Sequence, residues 1–499
     1  MTVDSTTRRR RLRRGGAVLA LAASGTFAFG STAGTLAASA ATTAKAKITT
    51  VSTDPYKNTS SYHQTELEPD NYAWGDTEVA VFQTGRFNNG GSDNTGYATT
   101  TDGGKTWKDG FLPGTTPYSD PPGPYQRLSD PSVGYDAKHD VWMINSLTVD
   151  TKNSLIVDLS TDGGKTFGKP IVISTPSGSS DYDKNWISCD NWKDSPSYGN
   201  CYVEVDDNGL GNVMDMFRTT DGGKHWTQAS VASATGLGGQ PVSQPDGTVI
   251  VPFSANFSAL QSLVSTDGGK TYTGPYNISN QTDHVVPNVR TEPLPSAEVD
   301  NKGNVYVAWQ DCRFRASCAS NDIVMSTSSD GKKWSDVVRI PIDAVSSSVD
   351  HFIPGLGVDR STGGSSAKLA LTYYYFPKAS CTLTTCQLDV GYVSSTDAGK
   401  NWTAPKKVLG PLSLTWLPDA GGRFVGDYIS TSFMGNKAFP VVASATKGAC
   451  TLGDVKSCHE FMAAPTKGLP VKAGTIPVGH ESVSGAPSDR VRSLNPTAF

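Results

Sequence analysis

The segment "WQDCRFRASC", Trp309 to Cys318, sets Arg313 and Arg315 inside a loop bounded by Cys312 and Cys318, with Asp311 just ahead of them. A short disulfide there would fix both guanidinium groups in orientation, the condition for bidentate recognition of a carboxylate. "GDYIS" places Asp427 beside Tyr428, a carboxylate and a phenol suited to base and nucleophile roles. Other candidates open β-like runs: Glu68 in "LEPD", Asp130 in "SDPS", Asp183 and Lys184 in "DKNW", Gln240 in "GQPV", Glu292 in "TEPLP", Asp350 and His351 in "DHFIP". Arg86 in "QTGRF" and the run Tyr373, Tyr374, Tyr375 close such runs, and Arg290 lies just ahead of Glu292. Pre-strand Asp and Glu also cap turns, so part of this set is expected to be structural.

The elements that must position these residues are strand pairs. "PSAEVDNKGNVYVAWQD" reads as a strand, a polar turn and a second strand rich in β-branched and aromatic residues, and the same reading holds along the chain. Between the pairs recurs a turn motif: "TTTDGGKTWKDG", "LSTDGGKTFGKP", "RTTDGGKHWTQ", "STDGGKTYTGP", "SSDGKKW" and "SSTDAGKNW". Its aspartates are Asp102, Asp162, Asp221, Asp267, Asp330 and Asp397, at intervals of 60, 59, 46, 63 and 67 residues. Such intervals suit a repeated unit of several strands with variable loops. The Asp accepts hydrogen bonds from its own loop, and the glycines take the positive φ angles of a tight turn. The motif therefore reports architecture, not catalysis.

These copies resemble the Asp-box, or BNR, repeat of the sialidase superfamily. The resemblance implies an all-β chain: a β-propeller of four-stranded blades, with each Asp-box between the two outer strands on the face away from the active site. Seven blades fit the strand pairs, with six as the alternative, and "KITTVS" near the mature N-terminus is the free strand that would close the last blade. Strand polarity then brings the carboxylates, arginines and tyrosines to one mouth of the channel. By the resemblance, Tyr428 is the nucleophile candidate with Asp427 beside it, Asp130 an acid/base, and Arg86, Arg290 and Arg313 members of a carboxylate clamp. Glu292 is a further catalytic candidate, and Arg315, Asp183, Lys184, Asp311, Asp350 and His351 complete the ligand-binding set. The superfamily's F/Y-R-I-P motif has no counterpart ahead of the first Asp-box; "VRIP", at Arg339, follows the fifth.

Composition bounds the setting. The head "TTRRRRLRRGGAVLALAASGTFAFG" and the small residues Ala38-Ser39-Ala40 read as a cleaved export signal over 1–40, of Tat or Sec type, too short to span a bilayer. Residues 41–480 form one propeller domain and 481–499 a tail. Without residues 1–40, which hold six arginines and one aspartate, the 43 basic and 47 acidic side chains become 37 and 46, a net charge of −9. Nucleic acid is thereby disfavoured as a partner. The eight cysteines fall in four close pairs, Cys189 with Cys201, Cys312 with Cys318, Cys381 with Cys386 and Cys450 with Cys458, expected as local disulfides in an extracellular protein. No C-x-x-C pair suggests zinc, and the calcium-like "VDDNGLGN" and "VDNKGN" fall at hairpin turns, so neither metal nor cofactor is expected. The expected function is that of a secreted, monomeric, sialidase-like glycoside hydrolase acting on an acidic or polar glycan. A non-catalytic propeller binding glycan or protein, and a uronate-polysaccharide lyase using His284, His351 and Tyr428, are the alternatives.

Overall fold

The computed structural model describes residues 46–480, Ala379 excepted, and the expected export signal and C-terminal tail lie outside them. The chain is all-β, a succession of antiparallel meanders. The first runs through Glu66–Trp74, Thr77–Arg86, Ser92–Thr100 and Lys108–Phe111; the second, joined to it at Ser92, through Leu128–Asp136, Val141–Thr148, Leu155–Ser160 and Ile171–Ser174. The later sheets begin with Tyr182–Cys189, Val242–Ser243, Ser296–Val299, His351–Val358 and Ser430–Met434. In the last, the order from the edge is Ile48–Thr50, Glu460–Pro465, Lys437–Ala445, Ser430–Met434, so a strand from the start of the chain pairs with one near its end. Among the described residues no helix is long and apolar enough to cross a membrane.

The core lies between sheets, and the period-two alternation of strands explains how. Along Val305–Asp311, Val305, Val307 and Trp309 pack against the preceding sheet, at Ile250, Leu260 and Val264. Tyr306 and Ala308 face the other way, toward Leu356 and Leu371 of the following sheet. Both faces are apolar, so the second strands read as near-continuous hydrophobic runs. The first strands touch one another in sequence around the molecule, and Ser430–Met434 touches Glu66–Trp74. Side chains also stitch neighbouring first strands: Asp70 accepts from the Val133 amide (2.8 Å), Ser132 from Ile187 (3.1 Å), Gln240 from Ala297 (2.9 Å) and Ser296 from Leu356 (3.0 Å).

The repeated aspartates close turns between third and fourth strands. Asp267 Oδ1 accepts from the amides of Lys270 and Thr271 (both 3.0 Å), and Oδ2 from the Thr271 hydroxyl (2.7 Å). Asp102 and Asp162 repeat the pattern, and at Asp221 the His225 ring replaces the hydroxyl at Oδ2 (2.6 Å); these four carboxyls are held down at about 2, the hydrogen bonds of the turn outweighing what burial there is. One glycine of each turn docks on the preceding sheet. A Cβ on Gly269 would meet Tyr202 at 2.4 Å; one on Gly104, in the first meander, would meet Phe439 of the last at 2.5 Å. Both glycines hold a positive φ, +76° and +77°. All four cysteine pairs form the disulfides expected of them.

Candidate functional site

Three first strands break register at the same place. The shifts lie between Leu67 and Asp70, between Ser129 and Ser132, and between Asp183 and Asn185. At each bulge a non-glycine residue takes a left-handed backbone: Glu68 (φ 59°), Asp130 (φ 47°) and Lys184 (φ 39°). Such conformations cost of order 1–3 kcal/mol each and re-aim the side chain out of the strand's alternation. Here all three aim at one point. Lys184 Nζ lies 2.5 Å from Asp427 Oδ2, 3.2 Å from Asp130 Oδ1 and 3.6 Å from Glu68 Oε1. Lys184 is 4% exposed and Asp427 2%. Ile353 holds a fourth such bulge (φ 49°) with an apolar side chain.

Arg290 completes the cluster with a forked contact to Asp427, Nε to Oδ1 at 3.1 Å and a terminal nitrogen to Oδ2 at 2.7 Å. Arg86 donates to Gln83 Oε1 (2.7 Å), whose amide donates to Glu68. Arg86 and Arg290 both lie over the Phe424 ring, at 5.1 and 4.7 Å. A cover lies above them: the backbones of 288–290 and Arg423 pair, with Arg290 N to Arg423 O and Arg423 N to Asn288 O at 3.0 Å. Val286, Val289, Leu417, Phe424 and Val425 bury that cover. Glu292 belongs to the same segment, and its charge acts on Arg290. Beside Lys184, Trp186 and Tyr428 remains a cavity of about 20 Å³, room for about one water.

Electrostatics divides the carboxylates. Burial pushes Glu68 up to about 7, Lys184 opposing it and Asp130 and Asp427 reinforcing it. Burial, then the Asp130 charge, pushes Asp183 up to about 6. Asp427 goes the other way: burial disfavours its charge, but Arg290 and Lys184 outweigh that and hold it well below the usual range. For Lys184, burial is outweighed by Asp130, Asp427 and Glu68, so the ammonium is firmly retained. The cluster thus holds an acid titrating near neutrality beside a fixed anion, the division of roles that acid/base chemistry needs.

The expected ring separates into parts. Glu68, Asp130, Asp183, Lys184, Arg86, Arg290, Asp427 and Tyr428 come together. Tyr428, however, is not paired with Asp427: its hydroxyl donates to the Pro131 carbonyl (3.0 Å), its ring packs edge-on against Trp186, and burial raises its pKa. Arg313 and Arg315 do not offer free guanidinium groups. Arg313 is tied to Asp311 (2.8 Å), Ser279 and Asn280, and Arg315, 5% exposed, to Asp322 (2.5 Å) and Asp343 (2.6 Å). Asp311 also accepts from Thr282 and Trp309. Asp350 accepts from the Asn321 amide and His284, and His351 is buried against Tyr373 and Tyr375. Asp311, Arg313 and Arg315 end or follow the second strand Val305–Asp311, a strand spacing of about 4.8 Å farther out, whereas Asp350 and His351 lie at the start of the first strand His351–Val358; all of them bind neighbouring loops and side chains instead of reaching the cluster.

Two other groups have catalytic or metal-binding composition. Ser61, His63 and Asp54 are adjacent, but Ser61 donates to Asp93 (2.7 Å), while the His63 nitrogens meet Asp54 (3.1 Å) and the Asn58 carbonyl (2.5 Å). Although burial opposes it, those acceptors raise the pKa of His63, so the ring serves as a donor and not as a base for Ser61. Asp322, Asp343 and His351 lie close enough to share a metal ion, yet Arg315 and Arg339 already occupy both carboxylates.

No family model and no curated protein matches the chain. Among solved structures it is similar to sialidases. The endosialidase of phage phi92 aligns at 12% identity over 89% of this chain and 72% of that one, TM-score 0.48. Trypanosoma rangeli sialidase aligns at 13% over 81% and 70%, TM-score 0.43, and the Ruminococcus gnavus intramolecular trans-sialidase at 14% over 63% and 90%, also 0.43. At such values they bear on no residue of the site.

Proposed function

We propose that this chain is an exported β-propeller of seven blades, closed by its N-terminal strand, that hydrolyses an acidic or polar glycan at the Lys184 cluster. Support for the closed ring comes from the contact of the last first strand with Glu66–Trp74, the pairing of Ile48–Thr50 with Glu460–Pro465, and the seating of Gly104 on Phe439. The turn geometry of the six aspartates fits the Asp-box reading, and four disulfides suit an extracellular chain. The observation that carries the function is the convergence of three strained bulges, at Glu68, Asp130 and Lys184, with the Lys184 ammonium reaching Glu68, Asp130 and Asp427. Local backbone strain concentrates where side chains must be aimed for chemistry.

In this reading Glu68, titrating near 7, donates a proton to the glycosidic oxygen. Asp427, held ionised by Lys184 and Arg290, faces the positive charge that develops at the anomeric carbon. Arg86 and Arg290 supply the cationic side of the site. The cover built from 284–294 and 414–428 parts when substrate enters, since the closed cluster has space for only about one water. The alternative, glycan binding without turnover, is favoured by one observation: the Tyr428 hydroxyl is committed to a backbone carbonyl. Reducing-sugar release from a panel of sialylated, uronate-containing and neutral oligosaccharides separates the two. Hydrolysis of one class, lost in Asp427→Asn while binding persists, supports the first reading; binding with no release from any member sinks it.

A further inference from the structure

A larger cavity lies at the other end of the first strands. From Glu68 to Trp74 the first strand runs six residues, about 20 Å at roughly 3.3 Å per residue, and at its far end lies a cavity of about 510 Å³. It sits among the turns that follow first strands, the face that also carries the repeated aspartate turns, since the Gly103 amide donates to Asp76 O. Four aromatic rings line it, Tyr72, Trp74, Trp192 and Phe433, together with Arg360 and Glu298. Trp192 comes from the loop closed by Cys189 and Cys201, and its indole nitrogen is fixed to the Ser243 carbonyl (2.5 Å).

Arg360 is held in a way that leaves it usable. Its guanidinium lies over the Trp192 ring at 4.6 Å and donates to the Tyr72 hydroxyl, which also accepts from Asn191 (3.2 Å). Among the described residues no carboxylate lies within 4.0 Å of it, unlike Arg290, Arg313, Arg315 and Arg339. A planar guanidinium stacked on an indole is pre-oriented for a forked contact to a carboxylate.

We propose that this cavity is a second binding site, for a sugar residue bearing a carboxylate, with the carboxylate on Arg360 and the apolar face of the ring on the Trp74 and Phe433 walls. The volume falls within the usual range of small-ligand sites. The one cation of the lining, Arg360, matches a singly charged ligand and disfavours a phosphate or sulfate ester cluster, the nearby Asp359 being paired with Lys368 (3.5 Å). Burial pushes Glu298 up to about 8 against the pull of Arg360, so near pH 7 it offers a hydroxyl donor without repelling the ligand. The site goes beyond the proposed hydrolysis and stands or falls separately from it.

The test is titration of the whole mature protein with methyl glucuronide and with methyl glucoside, which differ in the carboxylate alone, followed by tryptophan fluorescence and calorimetry. The glucuronide is expected to bind about ten-fold or more tightly than the glucoside. Arg360→Met should erase that preference, and Trp74→Ala should weaken both sugars. Should Arg360→Met fail to fold, the glucuronide-to-glucoside ratio of the native protein and the Trp74→Ala titration decide alone. Equal affinities for the two sugars, an undiminished preference in Arg360→Met, or undiminished binding in Trp74→Ala would overturn the proposal, as would no binding at all.

Discussion

Lys184 is the residue whose removal should be felt most, because it brings a positive charge to three buried carboxylates at once. Lys184→Met leaves Glu68, Asp130 and Asp427 with less counter-charge. Breaking a buried pair by removing one partner costs about 3–5 kcal/mol, so denaturant unfolding should show a loss of that order; an unchanged midpoint would mean that the cluster is wetter and looser than described. The raised carboxyls also fix a pH dependence. Glu68 at about 7 and Asp183 at about 6 bind protons in the folded state that the unfolded chain has released. Their stabilisation is therefore full below about pH 4 and lost as pH rises through 6 to 7. The four repeated aspartates Asp102, Asp162, Asp221 and Asp267, lowered to about 2, act oppositely, but only below about pH 4. Melting temperature should thus be higher at pH 5 than at pH 8, and the reverse order would contradict the assignment. At this scale the sequence was a partial guide. "GDYIS" suggested a base beside a nucleophile, yet Asp427 is taken up by Lys184 and Arg290, and the Tyr428 hydroxyl by the Pro131 carbonyl. The Glu-Pro and Asp-Pro pairs at 68–69 and 130–131 marked the bulges, but nothing in them told that Lys184, and not its neighbour Asp183, would occupy the third.

The turn is the element that the sequence described best, because its hydrogen bonds are local: an aspartate, the amides three and four residues on, and two glycines suffice. Asp267→Ala removes those acceptors from an exposed turn, so the cost should be modest, about 1 kcal/mol, with turnover per folded molecule unchanged. Thermal melting and specific activity check it; lost activity at full stability would show that the turn face takes part in catalysis. Longer-range elements were less legible. Arg313 and Arg315 were expected at the channel because a disulfide loop would orient them, and it does, but toward Asp311, Asp322 and Asp343. The cover built from 284–294 and 414–428 left no sign in the sequence, since it depends on two loops more than a hundred residues apart pairing at Asn288 and Arg423.

For the molecule as a whole, all-β meanders and local disulfides followed from strand patterning and cysteine spacing, whereas the cavity at Arg360 did not, because its walls come from five separate sheets. Removal of residues 46–50 from the mature chain would strip the partner from Glu460–Pro465, where Ile48, Thr49 and Thr50 pair with Pro465, Ala464 and Ala463. The exposed edge should lower the melting temperature and promote association; an unaffected, monodisperse protein would speak against closure by that strand. The most direct test of the glycan-hydrolase reading compares Glu68→Gln with the native protein on two substrates sharing one glycone, one with a 4-nitrophenyl leaving group and one with a sugar. If Glu68 is the proton donor, the variant should lose about 100-fold or more on the sugar leaving group and much less on nitrophenol, which departs without protonation. Equal losses on both substrates, or none on either, would contradict the role given to Glu68 and the reading built on it.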